Sequence, residues 1–151
     1  MAPVSGLINK HVISFDTGMT GSDGNGDTTI SGFKVEKKHC HTMGAMHGSC
    51  YFKLLDDAAF FAAQAQEKDS FVLTVNFNLT LLKPALPGQE LHATGRVISA
   101  SKSLIVAEAS LYNDEGGLLA TGSGTFMKNP KLNLEALGTK LGLPQREAWD
   151  Q

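Results

Sequence analysis

Residues 47–82 read HGSCYFKLLDDAAFFAAQAQEKDSFVLTVNFNLTLL, and two periodicities follow one another in this stretch. Up to Glu67 it is rich in alanine, leucine and phenylalanine and contains no proline, which predicts a helix. One sector of the helical wheel is apolar, and the opposite sector carries Lys53, Asp56, Asp57, Gln64 and Glu67, with Phe60 among them. Because burying a phenylalanine is favourable, we expect a further surface to cover this second side of the helix.

After Asp69 the period becomes two, which predicts a long strand with one apolar and one largely polar face. The apolar face carries Phe71, Leu73, Val75, Phe77, Leu79 and Leu81, and Thr74 falls on the polar face. Strands over 90–99, 104–112 and 118–127 follow after short turns, so we expect a meander of four antiparallel strands. With an extended segment over 28–39, these elements predict an α+β fold whose sheet curls over a central helix.

The two ends of the chain differ from the middle. Residues 20–27 consist of glycine, aspartate and asparagine with one threonine and one serine, so we expect a solvated loop there. We do not expect a calcium site, because the glutamate that closes a calcium-binding loop is missing. Beyond Lys128, prolines and glycines allow at most a short helix over 132–137. We therefore predict an N-terminal segment over 1–27, one domain over 28–128 and a C-terminal tail over 129–151.

Composition narrows the functional classes. The chain has 151 residues, of which 42% are hydrophobic, enough for one domain with its own core. Its 13 basic and 15 acidic side chains give a net charge of −2, which argues against nucleic acid as a partner. We find neither a membrane-spanning apolar run nor a secretory signal, and we expect a soluble cytoplasmic protein. In that setting Cys40 and Cys50 are expected to be free thiols.

Five side chains of metal-ligand type lie within twelve residues, namely His39, Cys40, His41, His47 and Cys50. Their spacing fits no common zinc motif, and on a strand His39 and His41 share a face from which Cys40 points away. We therefore expect no metal site here.

Several ordered motifs resemble a known family. They are Gly44-x-x-His47-Gly48-Ser49 with Leu54-Leu55-Asp56, then Phe77 to Pro84 with Gly88, then Glu115 to Ala120. Over residues 28–128 the chain resembles the hot-dog fold thioesterases of the phenylacetate-degradation and 4-hydroxybenzoyl-CoA thioesterase type. The resemblance implies a curled antiparallel sheet wrapped around a central helix. It also implies a homodimer, or a tetramer of two dimers, that hydrolyses an acyl-CoA thioester in a groove between subunits without metal or organic cofactor.

The same resemblance implies roles for individual residues. Asp56 is implied as the general base or nucleophile, and the backbone N–H of Gly48 as the donor that polarises the thioester carbonyl. Thr74 would assist near the attacking water, His47 is mainly structural, and His41 stands where the family usually has asparagine. Ser49 likewise replaces a second glycine, but it keeps its backbone N–H.

The chemistry of the residues is consistent with hydrolysis, which needs a base for water and fixed donors for the developing oxyanion. From the helix alone, surface charges are the favoured interpretation of Asp56 and Asp57, with Lys53 pairing Asp57. Because the family motif places its acidic residue at Asp56, we assign Asp56 to the site and Asp57 to the pair with Lys53. A hot-dog protein that binds an acyl-CoA or another small ligand without hydrolysis is the alternative, favoured by His41. The acyl group itself is not specified by the sequence.

Overall fold

The computed structural model describes residues 18–22, 28–140 and 142, and it contains one long helix and one antiparallel sheet. The elements are β1 (Gly18–Ser22), β2 (Thr28–Lys34), a 3-10 turn (Lys37–His39), α1 (Gly48–Ala65), β3 (Ser70–Leu81), β4 (Glu90–Ala100), β5 (Leu104–Tyr112), β6 (Leu118–Asn133) and α2 (Leu134–Lys140). The six strands lie in the order β1-β2-β4-β5-β6-β3. The predicted α+β fold, a sheet around a central helix, is confirmed.

The predicted four-strand meander is wrong, because β3 pairs with β6 and not with β4. The meander is therefore β4, β5 and β6, and β3 is an edge strand. The residues that follow β3 do not fold into a hairpin with β4, because hydrogen bonds to other parts of the chain hold them. Leu82 and Lys83 donate their N–H groups to Leu119 O, at 2.8 and 3.0 Å. The Tyr51 hydroxyl donates to Lys83 O at 2.9 Å and accepts from Ala85 N–H at 2.7 Å, so α1 anchors the crossover that delivers β4 beside β2.

The ends of the elements also differ from the prediction. Residues 20–22, predicted as loop, belong to β1, because this short segment pairs through its backbone with β2. The calcium-like spacing Asp23-x-Asn25-x-Asp27 lies outside the described residues, as do residues 1–17 and 143–151. The predicted extended segment 28–39 ends as a strand at Lys34. At the other end β6 continues through Pro130 to Asn133 before the short helix begins.

Small residues let α1 approach the sheet closely. Ala58 and Ala59 are fully buried, and Gly95 of β4 lies directly beneath them. A Cβ atom at Gly95 would stand 2.1 Å from Ala58 O, so only glycine fits under the helix backbone. Thr28 Oγ1 donates a hydrogen bond to the same carbonyl at 2.7 Å.

The second side of α1 is covered within the same chain, as the position of Phe60 led us to expect. Phe60 is 8% exposed, and its ring centroid lies 5.5 Å from that of Phe71 and 6.1 Å from that of Phe126. Gln64, predicted on the polar side, is 1% exposed and accepts a hydrogen bond from Val72 N–H at 3.0 Å. In the portions of the chain that the structure covers, no helix has the length and apolar character needed to cross a membrane.

A bulge in β3 changes the predicted faces of this strand. Thr74 pairs with the fully buried Phe126, the next pair is Asn76 with Thr125, and Val75 is left between them, 50% exposed. Because a bulge adds one residue, the alternation reverses there. Val72 and Thr74 therefore face α1 before the bulge, and Phe77 and Leu79 face it afterwards. The prediction that Leu73 and Val75 share one apolar face with Phe77 and Leu79 is therefore wrong.

Candidate active site

Asp56 and Thr74 meet at the seam between α1 and β3. Asp56 lies midway along α1 and is half-buried, whereas Thr74 lies just before the bulge of β3. Thr74 Oγ1 donates a hydrogen bond to Asp56 Oδ1 at 3.0 Å. Two of the predicted site residues are therefore in direct contact, and the bulge is the feature that turns the threonine towards the helix.

The environment of Asp56 disfavours its ionised form. Burial is the main cause that raises its pKa from 3.8 to about 6, and the neighbouring Asp57 adds a smaller effect in the same direction. The Thr74 hydroxyl and Lys53 oppose this shift by stabilising the carboxylate. A carboxyl group with a pKa near 6 is a stronger base than an exposed aspartate and is still largely ionised at neutral pH, which suits general-base catalysis.

Asp57 forms the predicted ion pair with Lys53, but the pair is not a surface one. Each side chain is only 16% exposed. Burial raises the pKa of Asp57, and its hydrogen bond with Lys53 lowers it in part. The two adjacent aspartates thus differ in partner. Asp57 has a cation, whereas Asp56 has only a neutral hydroxyl within hydrogen-bond distance among the described residues.

The first turn of α1 offers a backbone donor. His47 is the N-cap residue, and its ring Nδ1 accepts from Ser49 N–H at 3.1 Å and lies 2.8 Å from Ser49 Oγ. Cys50 N–H donates to His47 O at 3.0 Å. Within residues 28–140 no backbone carbonyl accepts from Gly48 N–H, which is left at the positive end of the helix dipole. This N–H is therefore available to an oxygen atom of a ligand.

A cleft of about 350 Å³ opens beside Gly48, and His41 lines it. The ring Nδ1 of His41 accepts from Met43 N–H at 3.1 Å, which in the neutral ring assigns the proton to Nε2. His41 N–H donates to Ala45 O and its carbonyl accepts from Gly44 N–H, both at 2.9 Å, so the loop fixes this residue. His41 thus brings a second polar group to the cleft that contains Gly48.

The candidate base and the candidate donor do not meet within one chain. Asp56 follows Gly48 by eight residues along α1, which at 1.5 Å per residue separates them by about 12 Å. Asp56 does not line the cleft beside Gly48. The predicted residues therefore fall into two groups, Asp56 with Thr74 and Gly48 with His41 and His47.

An aromatic pair that the sequence did not single out as a pair lies between these groups. Phe52 sits one helical turn from both Gly48 and Asp56, is 40% exposed, and contacts Phe77 edge to face with ring centroids 5.5 Å apart. The Phe77 ring covers Gly122 and Gly124 of β6, where added Cβ atoms would stand 2.6 and 2.5 Å from ring carbons. The absence of side chains at these two glycines is what lets the Phe77 ring lie close to β6.

The histidines and cysteines near the start of α1 are engaged locally. His39 Nδ1 accepts from Glu36 N–H at 2.9 Å, and Cys40 Sγ lies 3.4 Å from Glu36 O. Cys50 Sγ lies 3.8 Å from His39 O, and both cysteines are free thiols. Among the residues that the structure describes, no group of three or more histidine, cysteine, aspartate or glutamate side chains is arranged to hold a metal ion.

Comparison with known proteins tests the resemblance noted above. The family model of the thioesterase superfamily matches residues 43–120, which include the first turn of α1, Asp56 and Thr74. The chain belongs to the thioesterase superfamily. The sequence-based prediction of a hot-dog thioesterase, and hence of an enzyme, is confirmed at the level of this family.

Individual relatives of this superfamily member agree with the assignment. Mouse acyl-coenzyme A thioesterase 13 is 31% identical over 97 residues, covering 64% of this chain and 69% of the relative. The Escherichia coli PaaI protein of the phenylacetic acid degradation operon has the same fold, with a TM-score of 0.69 at 20% identity over 75% of this chain and 79% of that one. A Streptococcus mutans protein solved with acetyl-CoA gives a TM-score of 0.70 at 19% identity, covering 79% and 94%.

Proposed function

We propose that this protein hydrolyses acyl-CoA thioesters to a free acid and CoA. The observation that carries the proposal is the half-buried Asp56, with its raised pKa and its hydrogen bond from Thr74. The name of the mouse relative and the acetyl-CoA held by the Streptococcus mutans structure support acyl-CoA as the substrate class.

In the proposed reaction Asp56 acts as a general base. Its carboxylate takes a proton from water, and the water oxygen attacks the thioester carbonyl carbon. Gly48 N–H donates to the oxyanion that forms, aided by the positive end of the α1 dipole. The carbon–sulfur bond then breaks, and protonated Asp56 returns the proton to the CoA sulfur. Thr74 holds the carboxylate in position without changing its charge.

The complete site is proposed to combine two copies of the chain. An oxyanion donor must lie about 3 Å from the carbonyl oxygen, and the base must lie within about 3 Å of the water. Asp56 lies about 12 Å from Gly48 along α1 and does not line the cleft beside it, which disfavours one chain supplying both groups to one thioester. Asp56 of one copy and Gly48 of another can meet both conditions.

The edge strand β3 supports such a pairing. It is 12 residues long, and no other strand of the described residues pairs with its outer edge; long edges of this kind favour addition of another strand. Asp56 lies over Thr74, whereas Gly48 lies over Leu81. A Cβ atom added at Gly48 would stand 3.8 Å from Leu81 Cδ1. Antiparallel self-pairing of β3 near Phe77 would bring the Thr74 end of one copy beside the Leu81 end of the other. Asp56 would thereby approach Gly48 of the second copy.

A second exposed strip supports pairing of two such dimers. Leu73, Met127 and Leu104 lie side by side across β3, β6 and β5 on the outer face of the sheet, and Met127 and Leu104 are 38% and 41% exposed. We propose a tetramer through this strip, which light scattering distinguishes from a dimer.

The proposed chemistry requires no metal or organic cofactor, because a carboxylate activates the water and a backbone N–H stabilises the oxyanion. Turnover should therefore be unchanged after dialysis against a chelator. A loss that is restored by a divalent cation would contradict this part of the proposal.

The function is tested by following thiol release from a panel of short, long and aryl acyl-CoA esters. Wild-type protein should release CoA, Asp56→Asn should not, and Asp114→Asn, which removes an exposed carboxylate in the turn between β5 and β6, should behave as wild type. Thermal stabilisation by an ester without release would overturn hydrolysis in favour of the non-catalytic binding protein.

The shared site is tested by mixing two inactive variants. When Asp56→Asn and Gly48→Ala chains are refolded together, mixed dimers contain one intact site, and random pairing should restore about a quarter of wild-type activity. Mixed dimers that form but stay inactive would show that base and donor do not come from different copies.

A further inference from the structure

A second cavity lies away from the cleft beside Gly48, between the start of β3, the end of β6 and α2. It has a volume of about 310 Å³ and is lined by Phe71, Lys131, Leu132, Asn133, Ala136 and Lys140. This volume is at the lower end of the range of small-molecule sites, roughly 300–1,000 Å³. All but one of its lining residues lie beyond the part of the chain that the superfamily model matches, so it is not part of the site described above.

The walls of this cavity are mainly apolar. Phe71 packs its ring against Phe60, which fixes one wall on the core, and Leu132, 40% exposed, forms another. Ala136 of α2 adds a small side chain to the lining. A ligand with an apolar body would remove this surface from water, and each buried methylene would increase its affinity.

Two cations, Lys131 and Lys140, line the same cavity. Lys131 and Lys140 form no ion pair with any carboxylate of the described residues, whereas Lys128, three residues before Lys131, pairs with Glu67 at 3.6 Å. Asn133 uses its side-chain oxygen to cap α2, accepting from Glu135 N–H at 2.8 Å, which leaves its amide NH₂ as a donor. An apolar cavity with two ammonium groups and an amide donor matches an apolar chain that ends in a carboxylate.

We propose that this cavity binds a medium-chain fatty acid anion, with the chain against Phe71, Leu132 and Ala136 and the carboxylate at Lys131 and Lys140. The ligand belongs to the class of acid that the proposed hydrolysis would release, but binding here does not depend on hydrolysis. Neither Asp56 nor Thr74 lines this cavity, so the site is distinct from the candidate active site.

The proposal is tested by calorimetric titration of the full-length protein with octanoate. Octanoate should bind, and Lys131→Gln combined with Lys140→Gln should weaken it by roughly tenfold or more, because two charge-assisted contacts are lost. The matched control, Lys34→Gln with Lys102→Gln, removes two exposed cations outside the cavity and should bind as wild type. Butanoate and octanol should bind more weakly than octanoate, and inorganic phosphate should not bind.

Location is read from methyl NMR spectra of labelled alanine and leucine. Octanoate should shift the methyl signals of Ala136 and Leu132 first, in wild type and in Asp56→Asn. An octanoate affinity that is unchanged by the Lys131 and Lys140 substitutions would overturn the cavity site. Methyl signal shifts confined to residues around Asp56 would also overturn it. Absence of thioester hydrolysis with lysine-dependent octanoate binding would refute the proposed function and leave this site standing.

Discussion

Replacing Asp56 with asparagine should abolish turnover and at the same time stabilise the fold. The substitution keeps the side-chain shape and an oxygen that accepts from Thr74 Oγ1, but it removes the charge that burial disfavours. Because the variant lacks a proton acceptor of useful basicity, thiol release from acyl-CoA should fall by at least about a hundredfold.

The stability gain follows from the pKa of Asp56. Moving this pKa from 3.8 to about 6 corresponds to about 3 kcal/mol. Because the side chain is half-buried and partly screened by water, about 1–2 kcal/mol is the expected effect. With the folded pKa above the unfolded one, the protonated carboxyl stabilises the fold below about pH 4, and this contribution is lost as the pH rises through about 6. The Asp56→Asn variant should therefore match the stability of wild type near pH 4 and exceed it at about pH 7.5.

Urea unfolding at the two pH values measures the difference, and Asp57→Asn is the matched control. Asp57 is the neighbouring aspartate, but it pairs with Lys53 at a site where each side chain is 16% exposed. Because burial also raises the pKa of Asp57 but Lys53 lowers it in part, replacing Asp57 should stabilise the fold less at the higher pH than replacing Asp56 does. If Asp56→Asn retains turnover, Asp56 is not the base. If Asp56→Asn is destabilised at the higher pH, burial of the Asp56 carboxylate is not unfavourable.

Three further outcomes follow from the same geometry. Because ionised Asp56 is required, kcat/KM should fall about tenfold per pH unit below about pH 6, and a profile flat to about pH 5 would exclude this carboxylate. Gly48→Ala should fold normally, since the atom nearest to the new Cβ is Leu81 Cδ1 at 3.8 Å. Its kcat should nevertheless fall roughly a hundredfold, because the methyl group crowds the N–H donor. An unchanged kcat would show that Gly48 takes no part in the reaction. Gly95→Ala should cost more than about 3 kcal/mol in urea unfolding, since its Cβ would stand 2.1 Å from Ala58 O, and wild-type stability would show that α1 can move away from β4.

The helix and most strand limits could be predicted from local patterns, because they depend on side chains that are neighbours along the chain. The β5 strand was predicted as Leu104 to Tyr112, as found, and α1 begins at Gly48 as its motif indicated. The partner of β3 could not be predicted in this way. It is decided by contacts distant in sequence, such as the Tyr51 hydroxyl that holds Lys83 and Ala85, and no periodicity within β3 carries that information.

Burial around α1 was predictable in part for a similar reason. Phe60 on the polar side indicated that a further surface covers the helix, and that surface comes from Phe71 and Phe126. Gln64 could not be assigned to the interior, because a glutamine is buried only where backbone groups from elsewhere satisfy it. Here Ser70 O and Val72 N–H do so, and both belong to β3.

The bulge in β3 could not be predicted from the alternation of residues, and it lies at the candidate site. Strict alternation would have turned Thr74 away from α1 if Phe77 faced it, and the extra residue Val75 allows both to face the helix. The bulge leaves Val75 half-exposed on a long edge strand, and at the same position a carboxylate is held partly out of water. Neither feature stabilises the isolated chain. The bulge and the partly buried carboxylate occur together at Asp56 and Thr74, and features that do not stabilise a fold are typical of functional sites. The physical properties of the fold therefore indicate the seam between α1 and β3 as the site, independently of any relative.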